Sequence, residues 1–157
     1  MVGIYDATFD DVYRYLHRLC RDHSLAEDVS QDVYESLLLD SVDLAPVTLA
    51  WLKRVARNRL IDVLRRRENY ERKLRLMATL ETHACFESFD EGLLDLRVRD
   101  ALTALPPMHR LVLMLRFGED LTVKQIGVAI GRTTRGAEGL LARAKEGFQQ
   151  EMEASHE

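Results

Sequence analysis

The sequence predicts an all-α protein made of two small helical domains joined by a linker, the second of them a helix-turn-helix domain. Three observations predict it. Apolar residues recur at three- and four-residue steps along most of the chain. No stretch alternates apolar and polar residues as a strand would. Near the C-terminus, LTVKQIGVAIGRTTRGAEGLLARAKEGF has the spacing of a short helix, a glycine turn and a second helix. A length of 157 residues suits one domain or two small ones.

Each element has its own signal. Phe9, Val12, Tyr13, Leu16, Leu19 and Cys20 share one stripe, which predicts an amphipathic helix over 9–22. Ser24, with Glu27 three residues on, reads as a capping box for a helix over 25–39. That helix buries Leu25, Val29, Val33 and Leu37, with Tyr34 beside them, and exposes Glu27, Asp28, Gln31, Asp32 and Glu35. A loop over 40–47, broken by Pro46, leads to Thr48 as the cap of the next helix. WLKRVARNRLIDVLRRR, residues 51–67, then combines an apolar stripe of Leu52, Val55, Ala56, Leu60, Val63 and Leu64 with a cationic flank. Leu, Ala and Arg favour the helix, and neither Gly nor Pro interrupts it. Trp51, beside Leu52, is assigned to the core, and Asp62 to a structural ion pair. Residues 76–96 hold five acidic and no basic residues and read as a linker. Beyond it, a short helix from Arg97 stops at Pro106. A second runs over 107–117, with Pro107 in its first turn, and buries Leu111, Val112, Leu115 and Phe117. Thr122 caps a helix ending at Ile130, Gly131 suits a left-handed turn, and the second helix of the motif starts near Thr133 or Thr134. The domains are thus 1–75 and 97–150, with the linker between them and a tail over 151–157.

Charge narrows the function. The net charge is −4, yet residues 53–75 hold ten Lys/Arg against three Asp/Glu. The rest of the chain holds 12 against 23. Such segregation points to one anionic and one cationic partner, and the basic segment has the electrostatic footprint of a nucleic-acid binder. No run approaches the roughly 18 apolar residues of a membrane span. The start, MVGIYDATFDD, lacks the basic and apolar regions of a signal peptide, so a cytoplasmic protein without membrane insertion is expected. Cys20 and Cys85 make no disulfide framework. With neither a phosphate-binding glycine loop nor a nucleophile motif, an enzyme is not expected.

Several stretches resemble one family. WLKRVARNRLIDVLRRR is similar to the W-L-x-R-I-A-R-N-x-x-x-D-x-L-R-R-R stretch of extracytoplasmic-function (ECF) sigma factors of the sigma-70 family. Trp51, Leu52, Arg54, Ala56, Arg57, Asn58, Asp62, Leu64, Arg65, Arg66 and Arg67 match in place. AEDVSQDVYESLL resembles the family's A-E-D-L-V-Q-E-T-F-L-R-L segment. ALTALPPMHRLVLMLRF followed by LTVKQIGVAIG resembles its C-terminal domain. The resemblance covers about 9–75 and 97–148.

It implies a non-catalytic factor, without cofactor or metal, that binds core RNA polymerase, directs it to promoters and assists melting. Asp28, Gln31, Asp32 and Glu35 would meet a coiled coil of the polymerase beta-prime subunit. A beta-subunit contact is a further expectation, and whether an anti-sigma factor is also a partner is left open. Lys53, Arg57 and Asn58 would meet the minus-ten element, Asn58 at a base edge and the cations at phosphates. Arg65 and Arg66 would neutralise phosphate. The loop over 40–47 would hold a base flipped from the non-template strand. Lys124, Thr133, Thr134, Arg135 and Arg143 would contact a minus-35 element. There the chain departs from the family pattern G-I-S-E-G-T-V-K-S-R-L-H-R-A, having GRTTRGAEGLLARA. Arg132 replaces an apolar residue, Glu138 a lysine, Gly139 a serine and Leu140 an arginine. The alternative is a sigma-like mimic or regulator that binds an anti-sigma factor or polymerase without reading promoter DNA. His17, Cys20, His23, His83 and Cys85 are metal-ligand types, but Cys20 continues an apolar stripe and reads as a small core residue; no metal site is expected.

Overall fold

The computed structural model describes residues 2–39, 47–76 and 95–155. Among them are seven α-helices and no strand. They are α1 (Val2–Cys20), α2 (His23–Leu39), α3 (Leu49–Arg75), α4 (Leu96–Ala104), α5 (Pro107–Leu113), α6 (Val123–Ile130) and α7 (Thr134–Ala154). The chain divides into two compact units, Met1–Val63 and Leu64–Glu157, so the boundary falls inside α3. The all-α class with a C-terminal helix-turn-helix is as the periodicity predicts.

In the first unit α1 and α2 pack side by side. Val12, Leu16, Leu19 and Cys20 meet the buried Leu25, Ala26, Val29 and Val33 side of the core. α1 starts at Val2 rather than Phe9. Its extra turns are held by rings: Tyr5 lies against Phe9 and Tyr34 at centroid distances of 4.8 and 5.1 Å. Thr8 Oγ1 also shares a 2.8 Å hydrogen bond with the Tyr34 hydroxyl. α1 ends where Arg21 takes a left-handed φ of 54°. The cap of α2 is Asp22, not Ser24: its Oδ1 accepts the Leu25 amide at 3.0 Å. A carboxylate at this position satisfies a free amide of the first turn.

α3 is capped as expected, the Trp51 amide donating to Thr48 Oγ1 at 3.2 Å. Leu52, Ala56 and Leu60 on it are fully buried. Arg59 donates to Ser36 of α2 at 2.5 Å, and the Lys53 ammonium sits 5.7 Å from the Tyr15 ring centroid of α1. These contacts fix which side of α3 faces outward.

In the second unit α7 packs against α4, α5 and α6. Leu111, Leu115, Ile126, Ile130, Ala137 and Ala144 form its centre. Arg110 is buried and ties α5 to the end of α4. Its guanidinium donates to the carbonyls of Leu102, Thr103 and Leu105 at 2.7, 2.7 and 3.0 Å. These carbonyls stand at the end of α4, where the Leu102 carbonyl also accepts the Leu105 amide at 3.3 Å, so one cation satisfies the acceptors that the last turn of the helix leaves over. The expected helix over 107–117 is not α-helical throughout: Met114–Gly118 forms a π-turn. The wider turn changes the facing of the residues after it, and Phe117, expected in the core, is 62% exposed.

Candidate nucleic-acid interface

The exposed surface of α3 follows from its buried one. With Leu52, Ala56, Leu60 and Leu64 inside, Trp51, Arg54, Asn58, Asp62 and Arg65 recur at three- and four-residue steps on the opposite side, and all are exposed. Trp51 is therefore on the cationic ridge and not in the core, at 37% exposure. Its neighbour Leu52 misleads: adjacent helical residues point about 100° apart, and only Leu52 faces inward. The signal that finds Trp51 is its spacing of seven residues, two turns, from Asn58. Asp62, expected in an ion pair, is exposed on the same ridge. Arg66 is exposed, whereas Lys53 and Arg57 are half-buried on the side of α3 that carries Leu60, Ile61 and Leu64, away from the ridge. Lys53 is also committed to the Tyr15 ring. The loop residues 40–46 lie outside the described residues.

α2 presents a second surface. Asp28, Gln31, Asp32 and Glu35 are all exposed, together with Glu27. Ser30, Val33 and Tyr34 on its other side are buried. Within the first unit, the acidic face of α2 and the exposed ridge of Trp51, Arg54, Asn58 and Asp62 thus stand on separate helices.

The second unit holds the helix-turn-helix. Thr122 and Gln125 form a reciprocal capping box at the start of α6, with distances of 3.2 and 2.8 Å. Gly131 ends α6 in the left-handed conformation, φ 68°. Gly127 lets the turn close on α6, since a Cβ there would stand 3.0 Å from the Arg132 carbonyl oxygen. Thr133 caps α7, its hydroxyl accepting the Gly136 amide at 3.0 Å. Lys124, Thr133, Thr134, Arg135 and Arg143 are exposed. Leu140, which stands where the family pattern has an arginine, is buried at 2%. Arg132, where that pattern is apolar, has a partner within the same unit: it donates to both oxygens of Glu68 at 3.0 and 3.3 Å. Half-burial lowers the His109 imidazole below its ordinary range, and the Arg143 guanidinium pushes the same way.

A groove of about 450 Å³ lies on the second unit, lined by Val98, Leu102, Leu113, Met114, Phe117 and Phe148, with Lys145 beside the Phe117 ring. On the α7 helical wheel, Phe148 and Lys145 lie well round from Gly139 and Arg143.

The histidines and cysteine near the α1–α2 turn serve packing. The His17 ring lies against those of Tyr13 and His23, and the Tyr13 hydroxyl is hydrogen-bonded to His23 Nδ1. Cys20 is buried and its thiol donates to the Asp22 carbonyl at 3.4 Å. No group of three or more metal-ligand side chains gathers among the described residues. His83 and Cys85 lie outside them.

The family model for Sigma-70 region 2 matches residues 4–70, and that for Sigma-70 region 4 matches 101–137. The chain belongs to the sigma-70 family. It is 28% identical to an ECF RNA polymerase sigma factor, SigE, of Mycolicibacterium smegmatis over 78% of this chain and 49% of that one. It is 26% identical to the ECF RNA polymerase sigma factor SigM of Bacillus subtilis, over 91% and 89% of the two chains. The chain thus spans about half the length of the first relative and nearly all of the second. A solved structure of the sigma factor RpoE in complex with the anti-sigma factor NepR, from Bartonella quintana, shares the fold. Its TM-score is 0.56 at 20% identity, covering 96% of this chain and 95% of that one. Sigma factors direct RNA polymerase to promoters and are not enzymes. Among the described residues no helix is long and apolar enough to cross a membrane.

Proposed function

We propose that this sigma factor divides its work among three exposed surfaces. The acidic face of α2, Asp28, Gln31, Asp32 and Glu35, docks on a basic coiled coil of the polymerase beta-prime subunit. The ridge of α3 reads and holds the minus-ten element. Asn58 meets a base edge, Arg57, Arg65 and Arg66 meet phosphate, and Lys53 adds positive charge to the local field from the packed side of the helix. Trp51 offers its ring to an unpaired base, a contact that tolerates any base identity. Lys124, Thr133, Thr134, Arg135 and Arg143 contact the minus-35 element. The apolar groove beside Phe117 receives the beta subunit. It lies on a different side of α7 from Arg135 and Arg143, so the polymerase and DNA contacts do not compete. The working modules are 1–75 and 97–150 with 76–96 as the linker. The protein acts in the cytoplasm, and an anti-sigma factor would silence it by covering these surfaces.

The observation that carries the reading is the separation, within the first unit, of a wholly exposed acidic face on α2 from an exposed ridge of Trp51, Arg54 and Asn58 on α3. A protein that only bound an anti-sigma factor would have no need of that ridge. The test is transcription in vitro with core polymerase and a promoter library. Initiation from a defined subset of promoters is expected. Core binding without initiation would establish the mimic instead, and absence of both would end the reading.

A further inference from the structure

The second helix of the helix-turn-helix carries an exposed carboxylate, Glu138, among the side chains assigned to DNA. Burial of Ala137, Leu140, Leu141 and Ala144 sets the rotation of α7. That rotation leaves Thr134, Arg135, Glu138, Gly139, Ala142 and Arg143 exposed. Glu138 is the fifth residue after the Thr133 cap, one turn beyond Arg135. It lies in the N-terminal part of the helix, which in this motif faces base edges. Beside it, Gly139 has open space around the position a Cβ would take. No side chain at 139 therefore holds a base edge away from the Glu138 carboxylate.

An ionised carboxylate only accepts hydrogen bonds. Toward phosphate it is repelled. In the major groove guanine shows two acceptors and thymine one, so both disfavour it, and adenine pairs its amino group with an adjoining acceptor. Cytosine presents the N4 amino donor alone. We infer that Glu138 is a specificity-determining residue of the upstream promoter element, accepting from cytosine N4 at one position. Arg135 and Arg143 anchor the same helix. This inference rests on the reading of α7 as the minus-35 helix.

The experiment uses the full chain with core polymerase and promoters randomised across the upstream element, with the transcripts sequenced. The natural protein should enrich cytosine about tenfold at one position. E138A should flatten that position alone, and E138Q should move its preference toward adenine, which matches an amide. Residue 138 is exposed and alanine favours helix, so both variants should keep the circular dichroism spectrum of the parent. Initiation with the same preferences in the natural protein and E138A overturns this inference and leaves the function standing. Failure of the natural protein to initiate from any library member overturns the promoter-reading function itself and the inference with it.

Discussion

Trp51 and Asn58 show how one side chain's direction decides its role. Both stand on the exposed side of α3, two turns apart. Asn58→Ala should lower promoter-dependent transcription about tenfold, the scale of one lost bidentate base contact, with core-polymerase affinity unchanged. Trp51→Ala should weaken binding to a single-stranded minus-ten oligonucleotide by ~1–3 kcal/mol, and Trp51→Phe should retain most of it. If Trp51→Ala instead melts the helices by circular dichroism, the side chain is a core residue after all. His109 carries a different residue-scale prediction. Burial first, then Arg143 and Arg132, lower its pKa, while Glu68 opposes them. The unfolded chain, with the ordinary value, then binds the proton more readily than the folded one. Its stabilising contribution is complete above the unfolded pKa near 6.5 and is lost as pH falls through and below it. Urea midpoints should therefore drop between pH 7.5 and 5.5, and less so in His109→Gln. Equal slopes in the two proteins would remove His109 from this account.

At the scale of elements, the second unit depends on Arg110 to join α4 and α5. Three carbonyls accept from its guanidinium, and a charge-assisted bond is worth about 1.5–3 kcal/mol net. Arg110→Ala should destabilise the unit by about 3 kcal/mol or more. The loss should be read as faster amide exchange in α4, α5 and α7, with α1 and α2 unaffected. Arg110→Lys should recover only part, since an ammonium lacks the fork that spans the three acceptors. Unchanged protection in α4 would sink the idea. Local rules made most elements legible: Thr48, Thr122 and Gly131 mark helix ends because caps are short-range chemistry. The errors fall where tertiary packing decides. Tyr5 stands four residues before Phe9 and continues its stripe, but only packing on Phe9 and Tyr34 shows that the helix extends this far. Asp22 displaces Ser24 as cap because the reversal at Arg21 ends α1 one residue before it. Periodicity assumes one turn size, so the π-turn that exposes Phe117 is invisible to it. The acidic face of α2 was legible because apolar spacing also dictates what is left outside.

For the whole molecule, the charges that recognise the two partners oppose each other. The chain carries −4 overall although residues 53–75 are strongly basic. On the proposed reading, the α2 carboxylates repel the phosphates that the basic residues of α3 attract. Free in solution the factor should bind DNA weakly. If α2 docks on a basic polymerase surface as proposed, that repulsion is neutralised, and polymerase binding itself should strengthen DNA binding without a conformational change. Replacing Asp28 and Asp32 together by Asn isolates the effect, because it removes two charges while keeping shape and helix. The variant should bind core polymerase more weakly than the parent. At about 50 mM salt, its affinity for non-specific duplex DNA should nonetheless be severalfold higher. That gain should shrink by about 200 mM salt, as screening shortens the reach of the removed charges. Fluorescence anisotropy with a labelled duplex measures both points. A variant whose DNA affinity equals the parent's at low salt would show that the acidic face is electrostatically silent toward DNA. Its only role would then be the polymerase contact.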